Sequence, residues 1–180
     1  VKENEIIFTS GGTEANNLAV FGAVEAKKRF GNKIVTTAIE HPSVLGFMEQ
    51  LEKNGFEVVY LKPDMTGAIS PEQVMEAIDE HTVLVSMMLV NNEVGSILPI
   101  EAAAKAIKQK KSPALFHVDA VQGFGKMAIY PNKSGIDLLT ISGHKIHAPK
   151  GIGALYISKD IRIPPRTFGG GQENGIRPGT

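Results

Sequence analysis

Short apolar segments alternate with helix-length segments along this chain, and that alternation restricts the fold more than any other feature. Glu5 to Thr9 reads as a strand, and Thr13 to Phe30 carries Ala15, Leu18, Ala19, Gly22, Ala23 and Ala26 at helical spacing. The pattern recurs as a strand from Lys33 to Ile39, a helix from about Ser43 to Lys53 and a strand from Phe56 to Leu61. Ser70-Pro71-Glu72-Gln73 then opens a helix: Ser70 can cap it, Pro71 suits the first helical position and Gln73 completes a capping box. Thr82 to Val90 is a long strand, Ile100 to about Lys110 a helix, and Ala114 to Val118, Asp137 to Ile141 and Gly153 to Ile157 are further strands. Strands joined through helices imply right-handed crossovers, hence a three-layer α/β/α domain with a mostly parallel sheet. With 42% hydrophobic content, 180 residues fit one domain with its own core.

Ligands of such sheets sit beyond the carboxyl ends of the strands, so the residues that follow each strand belong together. Ser10-Gly11-Gly12-Thr13 follows the first, where glycines let the backbone approach an anion and the next helix presents free N–H groups. Taken alone, this is also an ordinary strand-to-helix turn. Glu40-His41-Pro42-Ser43 follows the second; His41 can lie over an aromatic ligand or move a proton, or simply enter a helix. Asn91 and Asn92 offer amides after the methionine-rich strand. Asp119 ends an apolar strand, where a buried carboxylate needs a cation such as the protonated ring nitrogen of pyridoxal phosphate, or else caps the following turn. Gln122, three residues on, can reach another ring substituent.

The stretch from Ile136 to Lys145 reads as an apolar strand delivering a lysine. Ser142-Gly143-His144 is expected to end the strand and open a crevice, leaving Lys145 partly desolvated and so readier to attack an aldehyde. Ser142 and His144 add donors for a phosphate. His144 and His147 are three apart, but no third ligand at metal spacing accompanies them. A phosphate cradle, a stacking ring, an amide, a carboxylate and a lysine together describe pyridoxal phosphate.

Composition narrows the partners. Nineteen basic and nineteen acidic residues give a formal net charge of zero, so no long-range field favours nucleic acid or an anionic membrane. No segment has the length of a membrane span and the start is not a signal peptide, so a cytoplasmic setting is expected. The chain has no cysteine, which removes a disulfide framework and a cysteine nucleophile. Val1 is not methionine, and Arg177-Pro178-Gly179-Thr180 closes no element, so both ends read as cut.

The chain resembles the cysteine desulfurases of the class V aminotransferase group. The resemblance is carried by Ser10 to Asn17, Glu40 to Ser43, Val90 to Gly95, His117 to Gln122, Ser142 to Lys145, and Gly169 to Glu173 with Arg177 to Thr180. It implies the cofactor-binding large domain of a fold type I, aspartate-aminotransferase-like enzyme over residues 1–180, without the family's N-terminal segment and small C-terminal domain. It further implies a lysine linkage at Lys145, a ring-nitrogen partner at Asp119, stacking and proton transfer by His41, and ring-oxygen contacts from Gln122 and Asn92. Gly12, Thr13, Ser142 and His144 would hold the phosphate, with Thr180 reaching a phosphate in the neighbouring subunit of a homodimer. L-Cysteine would become alanine while its sulfur passes to a cysteine that this chain lacks, then to an acceptor or scaffold protein serving iron–sulfur cluster or tRNA-thiolation pathways. Selenocysteine lyase or another class V aminotransferase would share the same residues. A non-catalytic dimerising or scaffold-binding module would keep the fold alone.

Overall fold

The computed structural model describes residues 1–179; the expected role of Thr180 lies outside the described residues. Its strands are β1 (Ile6–Thr9), β2 (Lys33–Thr37), β3 (Glu57–Leu61), β4 (Thr82–Met88), β5 (Leu115–Asp119), β6 (Leu138–Ser142) and β7 (Gly153–Ile157). The helices are α1 (Gly12–Lys27), α2 (Pro42–Lys53), α3 (Pro71–Ala77) and α4 (Ile100–Gln109). Strand order is β1-β7-β6-β5-β4-β2-β3. Pairs from β3 to β6 are parallel, while β7 runs antiparallel to both neighbours. The mostly parallel three-layer expectation therefore holds, with β7 reversed because only a short connection without an α-helix separates it from β6.

Strands β4 and β5 are buried at every residue because helices cover both faces. Successive residues alternate between two cores: Leu84, Leu115 and Leu138 join one with α1 and α2, and Val85, Phe116 and Leu139 join the other with α3 and α4. Ser70 and Gln73 form the expected capping box at the start of α3.

Several boundaries moved. Glu5 lies in a 3-10 turn rather than in β1, its carboxylate accepting the N–H groups of Lys2 and Lys159. The strand after α3 stops at Met88, because the Leu89 N–H turns to the Asp119 carbonyl and Val90 bridges Ile97. Ser142 does not break pairing as expected: it stays in β6 opposite Gly153, and the ladder ends at Gly143. Phe168 to Glu173, glycine-rich and so expected from the sequence to be a mobile loop or a linker, is tied down, since Glu173 accepts the Phe8 N–H and, just beyond it, Arg177 pairs with Glu14 at 2.9 Å.

Gly153 is required by this arrangement. A Cβ there would lie 2.7 Å from the backbone of Gly11. Gly153→Ala is expected to lower stability by about 1–3 kcal/mol through overpacking against backbone that has no rotamer to yield. Urea unfolding checks this, with a reduced midpoint at unchanged slope.

Candidate active site

A cavity of about 200 Å³ opens beyond the carboxyl ends of β4, β5 and β6, beside the N-termini of α1 and α2. Gly12, Thr13, His41, Asn92, Asp119, Gln122, Ser142, His144 and Lys145 all line it. Nine of the ten residues singled out from the sequence thus meet in one pocket; the tenth is Thr180.

The wall on the α1 side is set by close packing. A Cβ at Gly12 would stand 3.0 Å from Val121 Cγ2 and 3.4 Å from Ser142 Cβ, so the first turn of α1 sits directly against the ends of β5 and β6. Its unpaired N–H groups and positive dipole end therefore face the cavity. Ser142 is buried, its hydroxyl 2.9 Å from His144 Nδ1.

Asp119 is 5% exposed. The sequence leads one to expect a cationic partner, but among the described residues its oxygens accept only neutral donors: Oδ2 from Asn16 Nδ2 at 2.7 Å and Oδ1 from the Val121 N–H at 2.9 Å. Burial pushes its carboxyl above the ordinary range, and those two bonds together with the nearby His41 pull against the rise. Asp119 is thus both turn cap and pocket carboxylate. His41, which is exposed, caps α2 through Nδ1, accepting the Ser43 N–H.

The two loop asparagines divide their work. Asn91 is buried and shapes the turn, accepting the N–H groups of Glu93 and Val94 and donating to the Ile39 carbonyl; Asn92 is exposed at the pocket rim. Lys145 departs from expectation. It is exposed on a 3-10 turn, Gly143–Lys145, instead of partly desolvated at the strand end. Because β6 continues through Ser142, the lysine stands one turn above the buried layer.

Three residues escaped the sequence reading. Asn16 and Ser43 line the pocket, and Asn16 left a signal: it is a polar residue one helical turn after Gly12 on a face otherwise filled by Ala15, Leu18 and Ala19. Glu40 left none, because its partner Met88 is 48 residues away. Glu40 Oε1 accepts from Thr37 Oγ1 at 2.6 Å and from the Met88 N–H at 2.9 Å, tying the turn before His41 to β4. Its Oε2 has no partner among the described residues.

Burial pushes the Glu40 carboxyl up to about 8, and the charge of Asp119 adds to the rise. Between its ordinary value of 4.5 and about 8 the folded chain keeps a proton that the unfolded chain releases. Stability therefore falls as pH rises through that window. Glu40→Gln retains the acceptor and cannot ionise. The variant is expected to gain on the wild type by a few kcal/mol between about pH 5 and about pH 8 in urea unfolding. Parallel profiles would show Glu40 ionised in the folded chain.

The family model for class V aminotransferases matches residues 1–177. Putative cysteine desulfurase IscS 1 of Bacillus subtilis is 52% identical over 178 residues, covering 99% of this chain and 46% of that protein. The mitosomal cysteine desulfurase of Trachipleistophora hominis is 50% identical over 99% of this chain and 41% of its own length. Among solved structures, a NifS-like protein superposes with a TM-score of 0.94 at 43% identity, covering 100% of this chain and 50% of that one. SspA in complex with cysteine gives 0.91 at 43% identity, covering 100% and 52%. The chain spans about half the length of the curated relatives it matches.

Proposed function

Because the chain belongs to the class V aminotransferase family, we propose that residues 1–180 are the pyridoxal phosphate-binding large domain of a cysteine desulfurase. The observation that carries the proposal is the placement of the Lys145 amine and the buried Asp119 carboxylate in one cavity that also meets the N-terminus of α1. An amine for an aldehyde, a carboxylate for a ring cation and helix N–H groups for a phosphate match the three functional ends of this cofactor. A cavity of about 200 Å³ is smaller than complete ligand sites, roughly 300–1,000 Å³, which supports a second contributor such as a partner subunit.

When bound, pyridoxal phosphate supplies an aldehyde and a cationic ring that draws electrons from a substrate amino acid. The chain's own residues supply the rest. Asp119, held by Asn16 and the Val121 N–H, keeps a proton on the ring nitrogen. His41 covers the ring face and carries a proton. Gln122 and Asn92 bond the ring oxygen, while Gly12, Thr13, Ser142 and His144 hold the phosphate. Thr180 serves the neighbouring subunit's phosphate in a homodimer. The substrate is L-cysteine, with alanine as product and sulfur leaving for an acceptor or scaffold protein; that SspA was solved in complex with cysteine supports this choice over selenocysteine.

Adding pyridoxal phosphate to the purified chain tests the proposal. A saturable visible absorbance band is expected, and Asp119→Ala is expected to weaken binding roughly 10- to 100-fold, the equivalent of a lost bond to a charged group worth about 1.5–3 kcal/mol. A chain that stays colourless supports the non-catalytic module instead. Unchanged affinity in Asp119→Ala counts against the ring-nitrogen role.

A further inference from the structure

Four side chains form a continuous hydrogen-bonded path across the floor of the pocket. Ser43 Oγ lies 2.8 Å from His41 Nδ1 and 2.9 Å from Asn16 Nδ2, and Asn16 Nδ2 lies 2.7 Å from Asp119 Oδ2. Deepening the reading of the pocket given above, we propose that Asn16 and Ser43 are positioning residues that place the ring proton of neutral His41 on Nε2, making His41 a donor to the pocket's ligand.

The direction of each bond follows from one backbone group. The Ser43 N–H donates to His41 Nδ1 at 3.1 Å, and an amide N–H has no alternative role. Nδ1 must therefore present its lone pair, and the only hydrogen available for the 2.8 Å contact with Ser43 Oγ is the hydroxyl's own. With its hydrogen committed, that oxygen accepts, so the Asn16 group facing it is the amide NH2 and not the carbonyl. The second amide hydrogen goes to Asp119 Oδ2, whose partner oxygen already accepts the Val121 N–H. Flipping the Asn16 amide would turn its carbonyl oxygen toward both acceptors. In the observed orientation that oxygen, Oδ1, is buried and bonds nothing among the described residues, so both donors are engaged at the cost of an unpaired acceptor.

The path therefore runs one way, from Asn16 through Ser43 to Nδ1. Neutral imidazole carries a single ring proton, which is left on Nε2. Among the described residues no group of the chain bonds to Nε2, so that proton is available to a ligand. For Nε2 to accept a proton instead, the ring hydrogen would have to move to Nδ1, where it would face the fixed Ser43 N–H. His41 thus donates a hydrogen bond through Nε2. The amide that orients it is the same one that bonds Asp119.

Nitrogen-15 labelling of the five histidines in the cofactor-free chain, with long-range proton–nitrogen correlation spectra and a His41→Gln chain for assignment, tests the tautomer directly. The expected wild-type spectrum has His41 Nδ1 at the unprotonated position and Nε2 at the protonated one. Ser43→Ala removes one of the two donors to Nδ1, so its resonance is expected to move toward the protonated position as the tautomers mix, and Ser43→Thr to restore it. Asn16→Ala is expected to give the same displacement, with Asn16→Ser as the second variant if the larger cavity unfolds the chain. A wild-type spectrum with Nδ1 protonated overturns the proposal. So does a Ser43→Ala spectrum, or a spectrum of either folded Asn16 variant, that matches the wild type. No cofactor is added, so a failure to bind pyridoxal phosphate leaves this result standing.

Discussion

A Lys145→Ala chain incubated with pyridoxal phosphate and reduced with borohydride is expected to retain essentially no pyridoxyl label, whereas the wild type retains it on one peptide. Attachment requires an amine held at the aldehyde long enough to condense, and proximity in a formed site outweighs chance encounters with surface amines by orders of magnitude. Lys145 is the one lysine that lines the cavity. Its backbone is fixed by the 3-10 turn that follows β6, itself anchored where Ser142 pairs with Gly153. The exposure of Lys145 sharpens the test. The chain alone does not desolvate this amine, so its selectivity over other exposed lysines, such as Lys126 or Lys150, must come from the cofactor's other ends being held by Asp119 and the first turn of α1. Peptide mapping decides it: label spread over several lysines, or retained in Lys145→Ala, would show that the pocket does not orient the aldehyde.

The cofactor-loaded chain is also expected to release no sulfur from L-cysteine on its own. Sulfur transfer needs a thiolate to attack the substrate's sulfur, and the chain contains no cysteine at all. A soluble dithiol can stand in, but it lacks the effective molarity of a tethered group, which is worth several powers of ten. Sulfide and alanine measured with and without added dithiol, beside Lys145→Ala, give the result. The expected pattern is no product without dithiol and slow, Lys145-dependent product with it. Alanine formed in a Lys145-dependent way without added dithiol, at a rate that does not rise with a second thiol such as excess L-cysteine, would show that another group of this chain takes the sulfur.

Much of the fold was legible because its signals are local. The alternation of strand and helix lengths set the three-layer class, and the capping box at Ser70 and Gln73 needs only residues three apart. Gly12, His41, Asp119, Ser142 and Lys145 could be grouped because a parallel sheet brings every strand's carboxyl end to one edge. Where local reasoning ran past its reach, it erred. Ser142 looked like a strand breaker from its polarity, yet the antiparallel β7 extends the ladder to it. The glycine-rich tail looked free, yet Glu173 and Arg177 reach residues 165 and 163 positions away.

Asn16 and Glu40 show where that reach ends. The sequence by itself determined the element types, the edge at which chemistry gathers and the residue types present there, because periodicity, caps and turns depend on neighbours within one or two turns of chain. Only the tertiary structure decided that Asp119 is held by Asn16, 103 residues away, that Glu40 is buried and bonded by the Met88 N–H, and that Lys145 is exposed. Strand order and register choose those partners, and burial then shifts the acids of Glu40 and Asp119 upward because the charged form loses its water. Both depend on which segments pack together, a property of the whole sheet that no short stretch of sequence contains.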